Sequence, residues 1–250
     1  MIIVCGTKRS GTSMWMQILK AAGLPVLGQQ FFEGWTRFKD ANPGGFYESQ
    51  YRRGIPNVLQ LPTNTCVKIF PRGLVLTNIN NISGAIFTVR SVQEFVASRH
   101  RFWEIETNST QNIPGIRPAR RPNPAVEWWI HNLTWLRDLQ ARAYDARIVA
   151  YDSVLECPLQ TIQRVLPWLQ GSALEVTVSV VQSTYRTQKT IEPSFDPGID
   201  GFPVDLAQSF YNSIRTATLT PELISDLFAA DDVFRALTPI RVQLDILGFS

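Results

Sequence analysis

The run Met1-Ile2-Ile3-Val4-Cys5-Gly6-Thr7-Lys8-Arg9-Ser10-Gly11-Thr12-Ser13 holds three elements in order. Residues 2–5 are apolar and mostly β-branched, which predicts a short strand buried on both faces. A loop bounded by two glycines follows, and helical spacing then runs over about 12–23. Strand, glycine-bounded loop and helix in this sequence make a cradle for a phosphate. The glycines allow a tight turn, successive N–H groups converge on an anion, and the helix N-terminus adds partial positive charge. A turn that merely entered a helix would not need Lys8, Arg9, Ser10, Thr12 and Ser13 together. The spacing from Gly6 to Gly11 is that of GxxxxGK[ST], but Thr12 stands where that motif has its lysine. Without a lysine there to reach the β- and γ-phosphates, ordinary ATP or GTP hydrolysis is argued against. The cation lies earlier, at Arg9.

Working outward, apolar runs at 65–70, 85–89 and 147–151 repeat the strand pattern. Helical patterns at about 91–103, 124–143 and 158–169 are long enough for βαβ crossovers. This alternation predicts an α/β fold: an open parallel sheet in three layers, with helices on both faces and the nucleotide-binding architecture of P-loop proteins. Two further helices are expected at 204–217 and 221–237. Nothing marks a domain boundary, so residues 1–250 are read as one domain. Residues 28–63 are rich in Gly, Pro and aromatics, and residues 105–124 carry Pro114, Pro118, Pro122 and Pro124 with Arg117, Arg120 and Arg121. Both stretches are expected to be loops, the second either a lid or a solvated connection.

A net charge of +3 is too small for a surface that coats nucleic acid, so the basic residues are read as belonging to a site. Cys5, Cys66 and Cys157 are odd in number and lack CxxC spacing, against a disulfide framework or a zinc site. The chain begins directly on a strand pattern and has no apolar run of bilayer length, so a cytoplasmic protein without a membrane span is expected. The sequons at Asn81, Asn108 and Asn132 are read as chance matches.

The loop resembles that of the sulfotransferase family, whose 5′ loop reads roughly Pro-Lys/Arg-Ser-Gly-Thr-Thr/Ser after the first strand. Arg9 stands at the family's loop cation, Ser10, Gly11, Thr12 and Ser13 follow in register, and Lys8 replaces the proline. A second stretch, Ile86-Phe87-Thr88-Val89-Arg90 followed by Ser98 in the next helix, resembles the family's 3′-phosphate site. A forked guanidinium and a hydroxyl suit a phosphate. Val67-Lys68-Ile69-Phe70-Pro71, Trp128-Trp129-Ile130-His131, Tyr151-Asp152-Ser153-Val154 and Asn42-Pro43-Gly44-Gly45-Phe46-Tyr47-Glu48 resemble further family stretches. The resemblance covers about residues 2–169. It implies 3′-phosphoadenosine 5′-phosphosulfate as donor, 3′-phosphoadenosine 5′-phosphate as product, and no required metal.

Two departures bear on mechanism. The catalytic histidine of the family's cytosolic branch would fall at Phe70, and the late Arg-Lys-Gly motif is missing. Arg186 with Lys189 either takes over that motif's contact with the 3′-phosphate or is a solvated basic turn. A base must then come from elsewhere, and the candidates rank Glu48, His131 and Glu33. His100 lies roughly 200° around its helix from Ser98 and is set aside. His131 shares a helical face with Trp128 and Trp135, a face expected to line the acceptor pocket. Trp15 either assists the adenine or faces the core. Phe31, Phe32, Trp35, Phe46, Tyr47, Trp103, Trp128 and Trp129 are expected to converge on a small-molecule, lipid or glycoside acceptor. Two rival readings remain: a kinase with Asp152 holding Mg²⁺, and a binding module that has lost its base.

Overall fold

The computed structural model describes residues 1–32, 35–56, 61–110, 120–182 and 195–249. Five strands, β1 (Ile2–Cys5), β2 (Val26–Leu27), β3 (Cys66–Lys68), β4 (Gly84–Val89) and β5 (Ala146–Ala150), form one sheet in the order β2-β3-β1-β4-β5. Every pairing is parallel: Ile3 lies opposite Val67 on one side and Ala85 on the other, and Phe87 opposite Ile148. The anticipated α/β parallel sheet is therefore present.

Side chains alternate between the two faces of the strands, and each face meets its own core. Ile3, Cys5, Val67 and Phe87 pack on one face against α4 (Pro124–Arg142), α8 (Val204–Thr216) and α9 (Pro221–Ala236). Val4, Cys66, Ile86 and Val149 pack on the other against α1 (Thr12–Ala21), α6 (Pro158–Val165) and α7 (Gly171–Ser179). Trp128, Trp129 and Trp135 of α4 are fully buried, and Phe87 stacks on Trp135 with ring centroids 4.3 Å apart. Each indole contributes on the order of 4–6 kcal/mol of transfer free energy before entropy. Their N–H groups are satisfied by Arg90 O, Asp231 Oδ1 and Asn132 Oδ1.

Several boundaries differ from expectation. Helix α3 (Val92–Thr110) runs past residue 105 into the anticipated loop, and Asn123 caps the start of α4 by accepting from Val126 N–H at 3.1 Å. The strand pattern at 147–151 ends one residue early, because Tyr151 opens α5 (Tyr151–Glu156). The helix anticipated at 158–169 stops at Val165. Helices α2 (Pro71–Val75), α7 and α10 (Thr238–Leu247) and strand β2 were not anticipated. Residues 28–56 contain no strand among the described residues, only 3-10 turns at Thr36–Ala41 and Gln50–Arg53 and an isolated bridge between Gln29 and Glu48. No helix among the described residues is long and apolar enough to cross a membrane.

Strand order places the site. From β1 the chain passes through α1 to the β2 side of the sheet, and from β4 it passes through α3 and α4 to β5 on the other. β1 and β4 are neighbours whose connections diverge, and the crevice beyond their carboxyl ends is where parallel sheets bind ligands. The loop Gly6–Gly11 leaves β1 there, and Arg90 follows β4.

Candidate functional site

The loop is built by close approach. A Cβ on Gly6 would fall 2.5 Å from Thr88 O, and one on Gly11 would fall 2.7 Å from Tyr151 Cδ2. With φ of 156° at Gly6 and 100° at Gly11, both glycines are required by conformation as well as by space. Ser10 is fully buried, and its hydroxyl donates to Thr7 O at 2.7 Å while its carbonyl accepts from Thr88 Oγ1. Ser10 therefore shapes the loop and does not reach the cleft. Lys8, Arg9, Gly11, Thr12 and Ser13 do line it, in a cavity of about 940 Å³.

Arg9 adopts a left-handed φ of 70° and points across the crevice. Its Nε donates to Ser98 Oγ at 3.3 Å and its Nη2 to Ala41 O at 2.9 Å, with the guanidinium over the Phe102 ring. Burial, and then the neighbouring Arg90 charge, bring Arg9 down to about 10, so it is still a cation at neutral pH. Arg90 is held from three sides: its Nε donates to Glu94 at 2.9 Å, its Nη1 to Arg9 O at 3.4 Å, and its guanidinium lies 4.7 Å from the Tyr151 ring centre. Its Nη2 is buried and has no hydrogen-bond partner among the described residues. An orphan donor on a buried guanidinium costs free energy until an acceptor arrives. Ser98, also buried, reaches the site through Arg9 and does not line the cleft.

On the other side of the loop, Lys68 of β3 is 2% exposed and forms an ion pair with Glu48 at 2.8 Å. Lys68 Nζ also donates to Phe46 O and to Ser13 Oγ, the latter at 3.3 Å, so Glu48 is one side chain removed from the start of α1, where the Gly6–Gly11 loop ends. Burial lowers the Lys68 pKa, Glu48 opposes that shift, and the charges of Arg9 and Arg52 add to it. Glu48 is no surface carboxylate: it is buried, faces the cleft, and keeps Oε2 without a partner among the described residues.

The far wall belongs to α4. Glu127 and His131 are one turn apart and both line the cleft. Arg99 Nε donates to Glu127 at 2.8 Å. Burial would raise the Glu127 pKa, but Arg99, His131 and Lys8 together hold it below its usual value. Burial first, with Lys8 and Arg99 adding and Glu127 opposing, takes His131 down to about 4, so its imidazole is neutral at pH 7; its Nδ1 has no partner among the described residues. Phe249 stands beside its ring, at 5.7 Å between centroids.

Of the expected acceptor aromatics, Trp35, Phe46 and Trp103 line the cleft. Trp128 and Trp129 do not: they fill the core against the sheet, as does Trp135, so the helical face they share with His131 divides between core and cleft. Tyr47 and Trp15 pack in the core of the opposite face, which settles Trp15 as structural. Phe31 and Phe32 also lie outside the lining. His100 is exposed beside Trp103, away from the loop, as anticipated. Asp152 accepts a hydrogen bond from Tyr211 OH and does not line the cleft. Glu33, Arg186 and Lys189 fall outside the described residues.

Sequence reasoning missed Glu127 and Arg99, although a glutamate among Val126, Trp128 and Trp129 and four residues before His131 was a usable signal. It also missed the stretch 245–248, which closes the cleft at the end of α10. Comparison with protein-family models and with curated proteins returned no match.

Proposed function

We propose that the protein is a sulfotransferase that moves a sulfuryl group from 3′-phosphoadenosine 5′-phosphosulfate to a hydroxyl or amine of a small-molecule, lipid or glycoside acceptor. The observation that carries this reading is the meeting of two cationic anchors at the crevice between β1 and β4. Arg9 and Ser98, 89 residues apart, touch each other, and Arg90, with its orphan Nη2, touches Arg9. A nucleoside that is phosphorylated at the 3′ position and anionic at the 5′ position needs two such anchors, whereas a nucleoside diphosphate needs one. Mutual repulsion of Arg9 and Arg90 is relieved by a ligand with two anionic groups.

In this reading the Gly6–Ser13 loop and Arg9 hold the 5′-phosphosulfate, and Arg90 holds the 3′-phosphate. The acceptor oxygen or nitrogen attacks sulfur in line, and the bond from sulfur to the bridging oxygen breaks. Its electron pair stays on the 5′-phosphate, where Arg9 and Lys68 stabilise the growing charge. Glu48 takes the acceptor's proton, its free Oε2 serving as the base. His131, at about 4, is a weak base and a good hydrogen-bond acceptor, which suits a positioning role. A kinase reading loses support because Asp152 is engaged with Tyr211 outside the cleft. A binding module without a base loses support because Glu48 compensates for Phe70.

Calorimetry with 3′-phosphoadenosine 5′-phosphate, ADP and ATP, with and without magnesium, tests the reading. We expect the bisphosphate to bind tightest without magnesium, and Arg90→Ala to weaken it by about tenfold or more, as loss of charge-assisted bonds requires. Equal affinity for adenosine 5′-phosphate with and without the 3′-phosphate overturns it.

A further inference from the structure

Ten cationic side chains and four carboxylates line the cleft. The nucleotide reading engages only those near the loop and at the β4 side. A separate group sits at the β3 side, which the strand order puts across β1 from Arg90. The chain leaving Glu48 turns at once into the 3-10 segment Gln50–Arg53, which carries Arg52 and Arg53. The chain leaving Lys68 turns into α2, which carries Arg72. These two short pieces are locked backbone to backbone. Phe70 N–H donates to Arg52 O at 3.0 Å, and a Cβ on Gly73 would fall 2.4 Å from the Arg53 carbonyl carbon. Three arginines are thus carried on a joined platform directly beyond the Glu48–Lys68 pair. Arg52 is near enough for its charge to act on Lys68.

All three line the cleft, and none makes an ion pair or a side-chain hydrogen bond among the described residues. Arg72 is laid against Gly248, where a Cβ would come within 2.0 Å of its Nη1, so the opposite wall of the cleft limits where that guanidinium can go. Arg52 is half-buried and Arg53 and Arg72 are exposed, so water can reach all three, and their summed positive potential at the mouth of the cleft attracts an anion. The nucleotide's two anionic ends are accounted for at Arg9 and Arg90. We infer that Arg52, Arg53 and Arg72 form a second anion site, which binds a carboxylate, phosphate or sulfate carried by the acceptor itself. The acceptor is then an acidic molecule whose reacting hydroxyl or amine lies between this platform and Glu48. This inference rests on the sulfotransferase reading for the acceptor's role, and on the arginine geometry alone for the anion site.

The test uses the full chain saturated with 3′-phosphoadenosine 5′-phosphate, which fills the 3′- and 5′-phosphate positions and leaves the sulfuryl position open, and inorganic phosphate as the probe; the arginine variants tell the platform from the sulfuryl position. Titration followed by calorimetry or NMR is expected to reveal a further phosphate site. Arg52→Gln/Arg53→Gln/Arg72→Gln, which keeps the side-chain stems and the fold, should weaken that site by about tenfold or more and leave the bisphosphate affinity within about twofold. The corresponding triple lysine variant, which restores the charge, should recover most of the phosphate binding. A wild-type chain that binds the bisphosphate but no further phosphate overturns the inference, as does a glutamine variant with unchanged phosphate affinity. If the bisphosphate itself fails to bind, the sulfotransferase reading falls. The phosphate titration of the nucleotide-free chain, wild type against glutamine variant, then decides the anion site by itself.

Discussion

Glu48 and Glu127 stand on opposite walls of one cleft, both buried, each ion-paired at 2.8 Å, yet their partners make them chemically different. Lys68 is an ammonium whose pKa burial already lowers, so it can release its proton if its carboxylate is lost. Arg99 is a guanidinium and cannot. The Lys68–Glu48 pair beside the Gly6–Gly11 loop can therefore lose its ammonium charge, whereas the Arg99–Glu127 pair, which joins α3 to α4, keeps its guanidinium. A carboxylate beside a lysine suits proton traffic, and a carboxylate beside an arginine suits architecture.

The comparison is tested first by turnover. Glu48→Gln should lower single-turnover sulfuryl transfer by about 10²–10⁴-fold with bisphosphate affinity nearly unchanged, whereas Glu127→Gln should have a far smaller effect on the chemical step of the folded fraction. The reverse order would move the base to the α4 wall. Stability should rank the two the other way. Glu127→Gln strands a buried guanidinium and should cost about 3–5 kcal/mol in denaturant unfolding, while Glu48→Gln costs less because Lys68 can become neutral. Equal losses would mean that Lys68 stays charged without its partner.

The pH dependence follows from His131, held at about 4 against an ordinary 6.5. The unfolded chain takes up a proton that the folded chain refuses, so stability falls as pH drops from about 6.5 toward 4, by about 3 kcal/mol at most. Glu127, with its lowered pKa, contributes stability present above its ordinary value of 4.5 and lost below it, which is a more acidic window. His131→Gln should flatten the curve between pH 6.5 and 4.5 and leave the steeper acid limb. An unchanged slope would assign that window to another group. The smallest effect concerns the start of α4: Asn123→Ala removes the bond to Val126 N–H together with those that Asn123 Nδ2 donates to Pro197 O and Gly198 O, and should cost about 1–2 kcal/mol in thermal or denaturant unfolding. No loss would show that Pro124 alone sets the helix start.

Parts of the cleft differ in how far the sequence alone reveals them. Strand, loop and helix at residues 2–21 could be read because apolar content, glycine spacing and helical period agree there. Arg90 could be read because a cation follows directly on a buried strand. Glu48 was named, but its burial was not, since the partner that buries it lies 20 residues away on β3. His131 was named with the wrong neighbours: helical spacing groups it with Trp128 and Trp135 but cannot say where the boundary between core and cleft falls along that face. Strand β2 has only Val26 and Leu27, too few for any period to register. Helix α10 escaped notice because nothing in Thr238–Leu247 marks it as the wall of a site that begins more than 200 residues earlier.

Strand β1 occupies the centre of the sheet, and both its neighbours, β3 and β4, lie more than 60 residues further along the chain. The loop that follows it is shaped by Thr88 and Tyr151, which are more distant still. The residues translated earliest in this fold thus wait for strands made much later before they acquire their shape, and such long loop closures are slow. A nascent chain released before residue 151 has the letters of the Gly6–Gly11 loop without Tyr151 to pack against Gly11. The shape of the loop is in this way tied to completion of the sheet.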